Sequence, residues 1–461
     1  MRNIGVIGAG HVGLVTAACL AKIGHRVVCA DNDVEKIENL KKLIMPFYEP
    51  GLEEIVKECF SAGFLSFTSS IREVAEKAEV IFIAVGTPAT PEGGVDLSYV
   101  EQVTVELATA LSEMHRQRNS AEGRVYRLIV EKSTVPVLTG EWVKRTLELL
   151  TATGVEFDVA ANPEFLREGS AVKDFLEPDR IVVGVENERS RKLFEEIYAG
   201  IKRPLLFTDI KSAELIKHAS NSFLALKISY INAIAQICER VGADVDKVAE
   251  GMGYDKRIGQ AFLKAGVGYG GSCFPKDVAA FMALAEQVGY SFGLLKEVQR
   301  INREQRLLVL KKARELLWNL KGKEIGIWGL SFKPETDDVR ESPALEIIQL
   351  LKKECAIIRC HDPRAMENAK KVLSGVEYCE DPYQVAKGAH LVILLTEWDL
   401  YRNLDFVRIK KEMKTPRVID GRNFLEAEKL HRLGFIYRGI GRSSFSVLVF
   451  SAGKNQVSEN K

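Results

Sequence analysis

No stretch of this sequence approaches the roughly 18 consecutive apolar residues that a membrane-crossing helix needs. Charge of one sign is missing too: 64 Lys and Arg face 63 Asp and Glu, a formal net charge of +1. That balance offers no electrostatic footprint for DNA, RNA or an anionic membrane, although a small anionic ligand needs only a locally basic site. The eight cysteines, at positions 19, 29, 59, 238, 273, 355, 360 and 379, lack paired metal-ligand spacing. In a chain this large their scatter fits reduced thiols better than a disulfide framework, and no metal is expected. Met1 leads straight into Asn3-Ile-Gly-Val-Ile7, a strand rather than a charged region with a long apolar segment behind it. A soluble cytoplasmic enzyme is the expectation.

What is present is ordinary for a globular protein: 46% hydrophobic and 28% charged residues. At 461 residues the chain is too long for one core, so two or three domains are expected. The run Ile4 to Ile7 opens into Gly8-Ala-Gly10-His11-Val12-Gly13 and a small-residue helical pattern. A second strand, Arg26 to Ala30, ends at Asp31. Gly8 permits a tight turn, Gly10 lets backbone reach a pyrophosphate, and Gly13 lets helix and strand pack closely. The helix N-terminus supplies N–H groups and a positive dipole end. An acid at the second strand tip accepts hydrogen bonds from ribose hydroxyls and repels a 2′-phosphate, so NAD is favoured over NADP. Lys36, one turn on, either adds a ribose contact or is simply solvated.

The βα alternation continues with strands at 79–85, 127–131, 158–161 and 180–184, the last expected to close the sheet. Ligands of open parallel sheets bind beyond the carboxyl ends of the strands, where Thr87 and Thr134 fall; either hydroxyl also suits a helix cap. Residues 112–124 are polar without periodicity and predict a surface loop. Glu164 and Glu168 are four apart, so a helical turn would set both carboxylates on one side, either as base and ligand-orienting group or as an exposed acidic helix start. Residues 212–241 then carry an apolar helical pattern without Gly or Pro, a spine of about 45 Å. Lys217 and Asn221 share one face of it, lining a cleft or, for the lysine, snorkelling to solvent.

Next comes Gly266-Val-Gly-Tyr-Gly270-Gly-Ser-Cys273-Phe-Pro-Lys276-Asp277. Glycines there let backbone approach a ligand, and a thiol becomes a nucleophile where nearby positive charge favours the thiolate. A glycine turn holding a small apolar Cys is the plainer alternative. Strands at 324–328, 356–360, 390–396 and 416–420 make a second Rossmann-like sheet without the glycine fingerprint. The fold class is therefore α/β, two Rossmann-like parallel-sheet domains joined by a long central helix. Residues 451–461 are polar and expected to be disordered.

Taken together, Gly8 to Gly13, Asn162-Pro-Glu164-Phe165-Leu166-Arg167-Glu168-Gly169, Lys217 with Asn221, the Cys273 loop, and residues 332–343 (Phe-Lys-Pro-Glu-Thr-Asp-Asp-Val-Arg-Glu-Ser-Pro) make the chain resemble the nucleotide-sugar 6-dehydrogenase family. The resemblance covers nearly the whole chain. It implies an NAD domain (1–205), a central helical dimerisation region (206–305), a UDP-sugar domain (306–445) and a tail (446–461), in a homo-oligomer that is at least a dimer. It implies four-electron oxidation of UDP-glucose to UDP-glucuronate, with two NAD reduced in succession. Cys273 would form the thiohemiacetal and then the thioester. Lys217 and Asn221 would stabilise the oxyanion, Asp277 would position water and protons, and Glu164 would be the base for hydrolysis. Cofactor contacts carried over are Gly8, Gly10, His11, Val12, Gly13, Asp31, Lys36, Thr87, Thr134, Glu168, Lys276 and Arg340, with Thr134 also beside the chemistry. Substrate contacts carried over are residues 164–168, Lys217, Asn221, Phe262, Leu263, Lys264, Ala265, Gly266, Gly270, Lys333 and Arg422, with Arg257 reaching a neighbouring subunit's substrate. A sibling acting on GDP-mannose or UDP-N-acetylmannosamine, a silent NAD-sensing module, and a hydroxy-acid dehydrogenase with a structural Cys273 are the competing expectations.

Overall fold

The computed structural model describes residues 1–90, 93–117 and 126–442. They form two compact units. The first takes Met1–Phe223, Cys273–Gly293 and Glu335–Asp337; the second takes Leu224–Ser272, Leu294–Pro334 and residues from 338 on. Residues 443–461, including the tail expected to be disordered, lie outside the described residues.

In the first unit eight strands share one sheet: β1 (Asn3–Ile7), β2 (Arg26–Ala30), β3 (Leu65–Thr68), β4 (Val80–Ile83), β5 (Tyr126–Glu131), β6 (Glu156–Ala161), β7 (Ile181–Gly184) and β8 (Leu205–Thr208). Their order is β3-β2-β1-β4-β5-β6-β7-β8. The first six are parallel, the dinucleotide-fold order with its switch point between β1 and β4. Only the β6–β7 pairing is antiparallel. β7 therefore does not close the sheet as the sequence suggested; β8 pairs outside it. Its four residues are partly exposed and too few to set a strand pattern.

The strands are apolar on both faces because helices cover both. Ile4, Val6, Val80, Phe82, Leu128 and Val130 point into one core layer, and Ile7, Ile81, Ile83 and Ile129 into the other. Residues 112–117 are not loop: they end the helix Ser98–Gln117. Ser112 is buried there, back-bonded to the Ala108 carbonyl at 2.7 Å and accepting from the Ala152 N–H at 2.8 Å. A hydroxyl satisfied by its own helix carries no periodicity signal. The rest of that expected loop, 118–124, lies outside the described residues.

The long helix runs Ile210–Val241, and Gly242 follows it in the left-handed region at φ 79°. In the second unit six parallel strands, β9 (Glu324–Trp328), β10 (Ile357–His361), β11 (Glu377–Tyr378), β12 (Leu391–Leu394), β13 (Arg417–Asp420) and β14 (Ile436–Arg438), take the order β11-β10-β9-β12-β13-β14. Ser342 caps the helix Pro343–Lys353 that follows β9, its hydroxyl accepting from Ala344 N–H. This sheet repeats the strand order of the first six strands of the other one.

Candidate active site

In the first unit, β1 delivers the chain into Gly8 at φ +107°, a conformation that costs glycine little. A Cβ on Gly13 would lie 1.8 Å from the Gly8 carbonyl oxygen, so only hydrogen fits where the helix His11–Lys22 meets the turn. A Cβ on Gly10 would meet nothing within 4 Å. The helix starting there has no side-chain cap and no acidic residue in its first turn. Open space against an uncapped helix N-terminus fits a dinucleotide pyrophosphate. Val12 packs partly buried against the core, and His11 pairs with buried Glu49 at 3.0 Å. The Asp31 carboxylate, at the tip of β2, accepts from Ala9 N–H at 2.7 Å and from Asp33 N–H at 3.0 Å. Lys36 is not merely solvated: its ammonium reaches both Asp31 oxygens at 3.1 Å.

Across the sheet from this cradle lie the groups that carry chemistry. Cys273, half-buried, sits at the N-cap of the helix Phe274–Gln287, where the dipole favours a thiolate. One turn on, buried Asp277 accepts from the Asn221 side-chain amide at 2.6 Å. Asn221 and Lys217 are successive turns of the long helix, and Lys217 is buried, not snorkelling. Its ammonium donates to Glu164 at 2.8 Å, with both side chains under 5% exposed. Burial alone would discharge that lysine, but Glu164, Asp277 and Cys273 outweigh it and raise its pKa. Glu164 is the mirror case: burial pushes its carboxyl up, while Lys217, the Leu166 N–H and Lys132 pull it below the usual range. Both partners are thus charged at neutral pH.

Lys276 ties this helix to the strand tips. Its ammonium donates to the Thr87 hydroxyl at 2.9 Å, and that hydroxyl donates to the Thr134 carbonyl at 2.9 Å. Behind Lys217 is a cavity of about 10 Å³, bordered by Glu131, Thr134 and Glu214, the size of one water.

The helical turn expected to align Glu164 with Glu168 does not form; residues 162–167 are irregular. Inside this segment the Leu166 N–H donates to the Glu164 carboxylate at 2.5 Å, and the two carboxylates part. Glu164 turns to Lys217, whereas Glu168, half-buried, accepts from the Thr336 hydroxyl at 3.4 Å. Phe165 lies under both Arg180 and Lys217, at 3.7 Å and 5.4 Å from its centroid. Leu166 packs against the core, and Arg167 points outward to Asp174.

The remaining expected contacts belong to the second unit. Phe262 stands at φ +65°. Leu263 and Ala265 are buried, Lys264 lies over Phe424 at 5.5 Å, and Gly266 N–H donates to Asn232 at 2.8 Å. Gly270 packs so closely on the Glu341 carbonyl that a Cβ would sit 2.1 Å from it. Arg422 laces this loop to its neighbours, donating to the carbonyls of Gly268, Leu395 and Phe332. Lys333 stands 5.3 Å over the Phe332 ring. Arg340 pairs with Asp338, and Arg257, 89% exposed, pairs with Asp255.

Sequence reasoning missed the buried groups behind the site. Lys132 donates to the Asn162 side-chain oxygen at 3.0 Å. Glu214 accepts from the N–H groups of Leu138 and Gly140. His218 hydrogen-bonds the Val135 carbonyl at 2.7 Å. A Glu-Lys pair directly after the apolar Leu128-Ile-Val130 run of a parallel strand was the one available signal.

A dinucleotide fold with this fingerprint and a lysine–amide–carboxylate cluster beside a thiol at a helix N-terminus defines an NAD-binding dehydrogenase. The family model for the NAD binding domain matches residues 2–202, that for the central domain residues 211–304, and that for the UDP binding domain residues 326–427. The chain belongs to the UDP-glucose/GDP-mannose dehydrogenase family. It is 44% identical to a UDP-glucose 6-dehydrogenase of Bacillus subtilis, over 96% of this chain and 98% of that one. Its fold is similar to that of a UDP-glucose dehydrogenase from Pyrobaculum islandicum (TM-score 0.88, 41% identity, 96% and 98% of the two chains). A UDP-D-ManNAc dehydrogenase from Pyrococcus horikoshii is also similar (TM-score 0.82, 28% identity, 96% and 100%). Among the described residues no helix is long and apolar enough to cross a membrane, and no cluster suits a metal ion.

Proposed function

We propose that this chain oxidises the C6 alcohol of UDP-glucose to the carboxylate of UDP-glucuronate through a covalent Cys273 thioester. The observation that carries the mechanism is the buried cluster of Lys217, Asn221 and Asp277 beside a thiol at a helix N-terminus. NAD, held against Gly10 and the His11–Lys22 helix, supplies the hydride acceptor, twice per sugar. The protein does the rest. At the aldehyde stage the Cys273 thiolate attacks C6: a C–S bond forms and the carbonyl electron pair moves to oxygen. An aldehyde cannot lose a second hydride readily until a nucleophile has made it tetrahedral. The Lys217 ammonium and the Asn221 amide stabilise that oxyanion, fixed in place beforehand by Glu164 and Asp277. After the second oxidation, water adds to the thioester carbonyl and its proton passes to the Glu164 carboxylate. The C–S bond breaks and Cys273 leaves as thiolate.

In this reading the second unit holds the nucleotide sugar through 262–266, Gly270, Lys333 and Arg422, and Arg340 meets the cofactor phosphates. The chain acts as at least a dimer. Phe223, Tyr230 and Ile237, spaced by seven on the long helix and each at least half exposed, support a helix-to-helix seam, and Arg257 is free of burial to reach a second subunit. UDP-glucose is favoured over UDP-N-acetylmannosamine by the 41% identity to the former's dehydrogenase against 28% to the latter's.

The test is NADH release with UDP-glucose, GDP-mannose and UDP-N-acetylmannosamine. UDP-glucose should react fastest and give two NADH per sugar; faster turnover of GDP-mannose would reassign the substrate, and one NADH per sugar would remove the thioester. Cys273→Ala should cut acid formation by at least about a thousandfold, the scale of losing a covalent nucleophile, while calorimetry still shows UDP-glucose binding.

A further inference from the structure

Lys132 is 4% exposed and directly follows β5, in the strand-tip layer that carries Thr134. Its ammonium donates to the Asn162 side-chain oxygen at 3.0 Å. That oxygen already accepts from the Tyr198 hydroxyl at 2.6 Å, and the Asn162 amide donates to the Val182 carbonyl at 2.7 Å. The Asn162-Pro-Glu164 segment is therefore held without Lys132. Burying an ammonium costs far more than burying an uncharged side chain of the same length. The charge itself needs a use.

Besides the Phe175 ring, 5.9 Å away, what this charge acts on is Glu164, two residues beyond the Asn162 that the ammonium holds. Two cations act on this one carboxylate: Lys217 from the long helix, in direct contact at 2.8 Å, and Lys132 from just past β5. Lys217 is also drawn toward Asp277 and Cys273, and as charge develops on the substrate oxygen its attraction is shared with that oxyanion. A carboxylate with Lys217 as its sole partner would be least well held when hydrolysis requires it.

We propose that Lys132 is a positioning residue for the hydrolytic half-reaction, a second cation that keeps Glu164 ionised and aimed while Lys217 attends to the substrate oxygen. The proposal rests on the assignment of Glu164 as the base for thioester hydrolysis. Burial brings the Lys132 ammonium down to about 8, with Glu164 opposing that fall and Lys217 adding to it, so it is charged at neutral pH. The sign of the effect follows. Glu164 has a depressed pKa, so hydrolysis falls only as pH drops through that low value. Removing one cation raises the pKa and moves the acid limb toward neutrality.

The experiment is acid-quenched intact-mass analysis of the full-length enzyme turning over UDP-glucose and NAD, following decay of the Cys273 acyl adduct from pH 3.5 to 8. Lys132→Gln and Lys132→Met both remove the charge; Gln retains a donor for Asn162 and Met fills the space, so either suffices if it folds. Each should move the acid limb up by about half a unit, approaching threefold slower decay where the pH lies below the Glu164 pKa, with decay at pH 8 unchanged. Tyr198→Phe, which loosens Asn162 without touching charge, should leave the limb in place. A limb unmoved in the folded Lys132 variant, or moved equally by Tyr198→Phe, overturns the proposal. Glu164→Gln separates the two assignments. If it abolishes the limb while Lys132→Gln does not move it, the base stands and Lys132 has no such role; if the limb survives in Glu164→Gln, the base assignment falls and this inference with it.

Discussion

Glu214 shows how a single buried acid writes itself into the stability of the protein. Its carboxylate caps the helix Thr139–Leu150 by accepting from Leu138 and Gly140 N–H groups. Burial raises its pKa to about 7, the two N–H groups opposing the rise. In the unfolded chain it titrates near 4.5. Between those values the folded state binds more protons, so stability falls as pH rises from about 4.5 to about 7 and is level above. Glu131, fully buried and raised mainly by the same cause, adds a slope of the same sign. Glu214→Gln should flatten much of that slope in denaturant unfolding at a series of pH values, even if it lowers stability overall by loosening the cap. An unchanged slope would mean that Glu214 is not protonated in the folded protein. Neither acid was legible from sequence. The partners of Glu214 are 74 and 76 residues away and Glu131 borders a buried cavity, and one-dimensional spacing cannot report such meetings.

At the scale of elements the fingerprint turn is the tightest joint. Gly13→Ala puts a methyl into the Gly8 carbonyl, and neither backbone can yield without opening the β1–helix contact. Overpacking of this kind costs about 1–3 kcal/mol; thermal unfolding should show it, and NAD titration should show affinity reduced at least about tenfold. Elements with strong local chemistry were the ones that could be read in advance: β1 with its glycines, the apolar runs of β4 and β5, and the long helix. The strands that escaped notice, β3, β8, β11 and β14, lie at or near sheet edges and are two to four residues long. Such strands are defined by the neighbour they pair with rather than by their own pattern. The Glu164–Glu168 turn failed for the complementary reason. A spacing of four permits a helix without requiring one, and the bonds of Glu164 to Lys217 and to the Leu166 N–H hold it within the irregular segment 162–167.

For the whole molecule, the proposed pairing along the long helix makes a direct prediction. Sedimentation equilibrium should show a dimer or larger, and Tyr230→Glu with Ile237→Glu should shift it toward monomer; a monomeric parent chain would refute the seam. The chain also leaves the first unit at Phe223 and returns to it at Cys273. During synthesis the ribosome thus releases the dinucleotide fingerprint, Glu164, Lys217 and Asn221 well before the thiol they serve. A nascent chain stalled at Phe223 carries Glu164 and Lys217 with nothing yet to activate. Lys217 and Glu164 can find each other in that interval and neutralise what would otherwise be two buried, unpaired charges. The oxyanion support is built first and the nucleophile is delivered into it last, together with the Asp277 that Asn221 awaits.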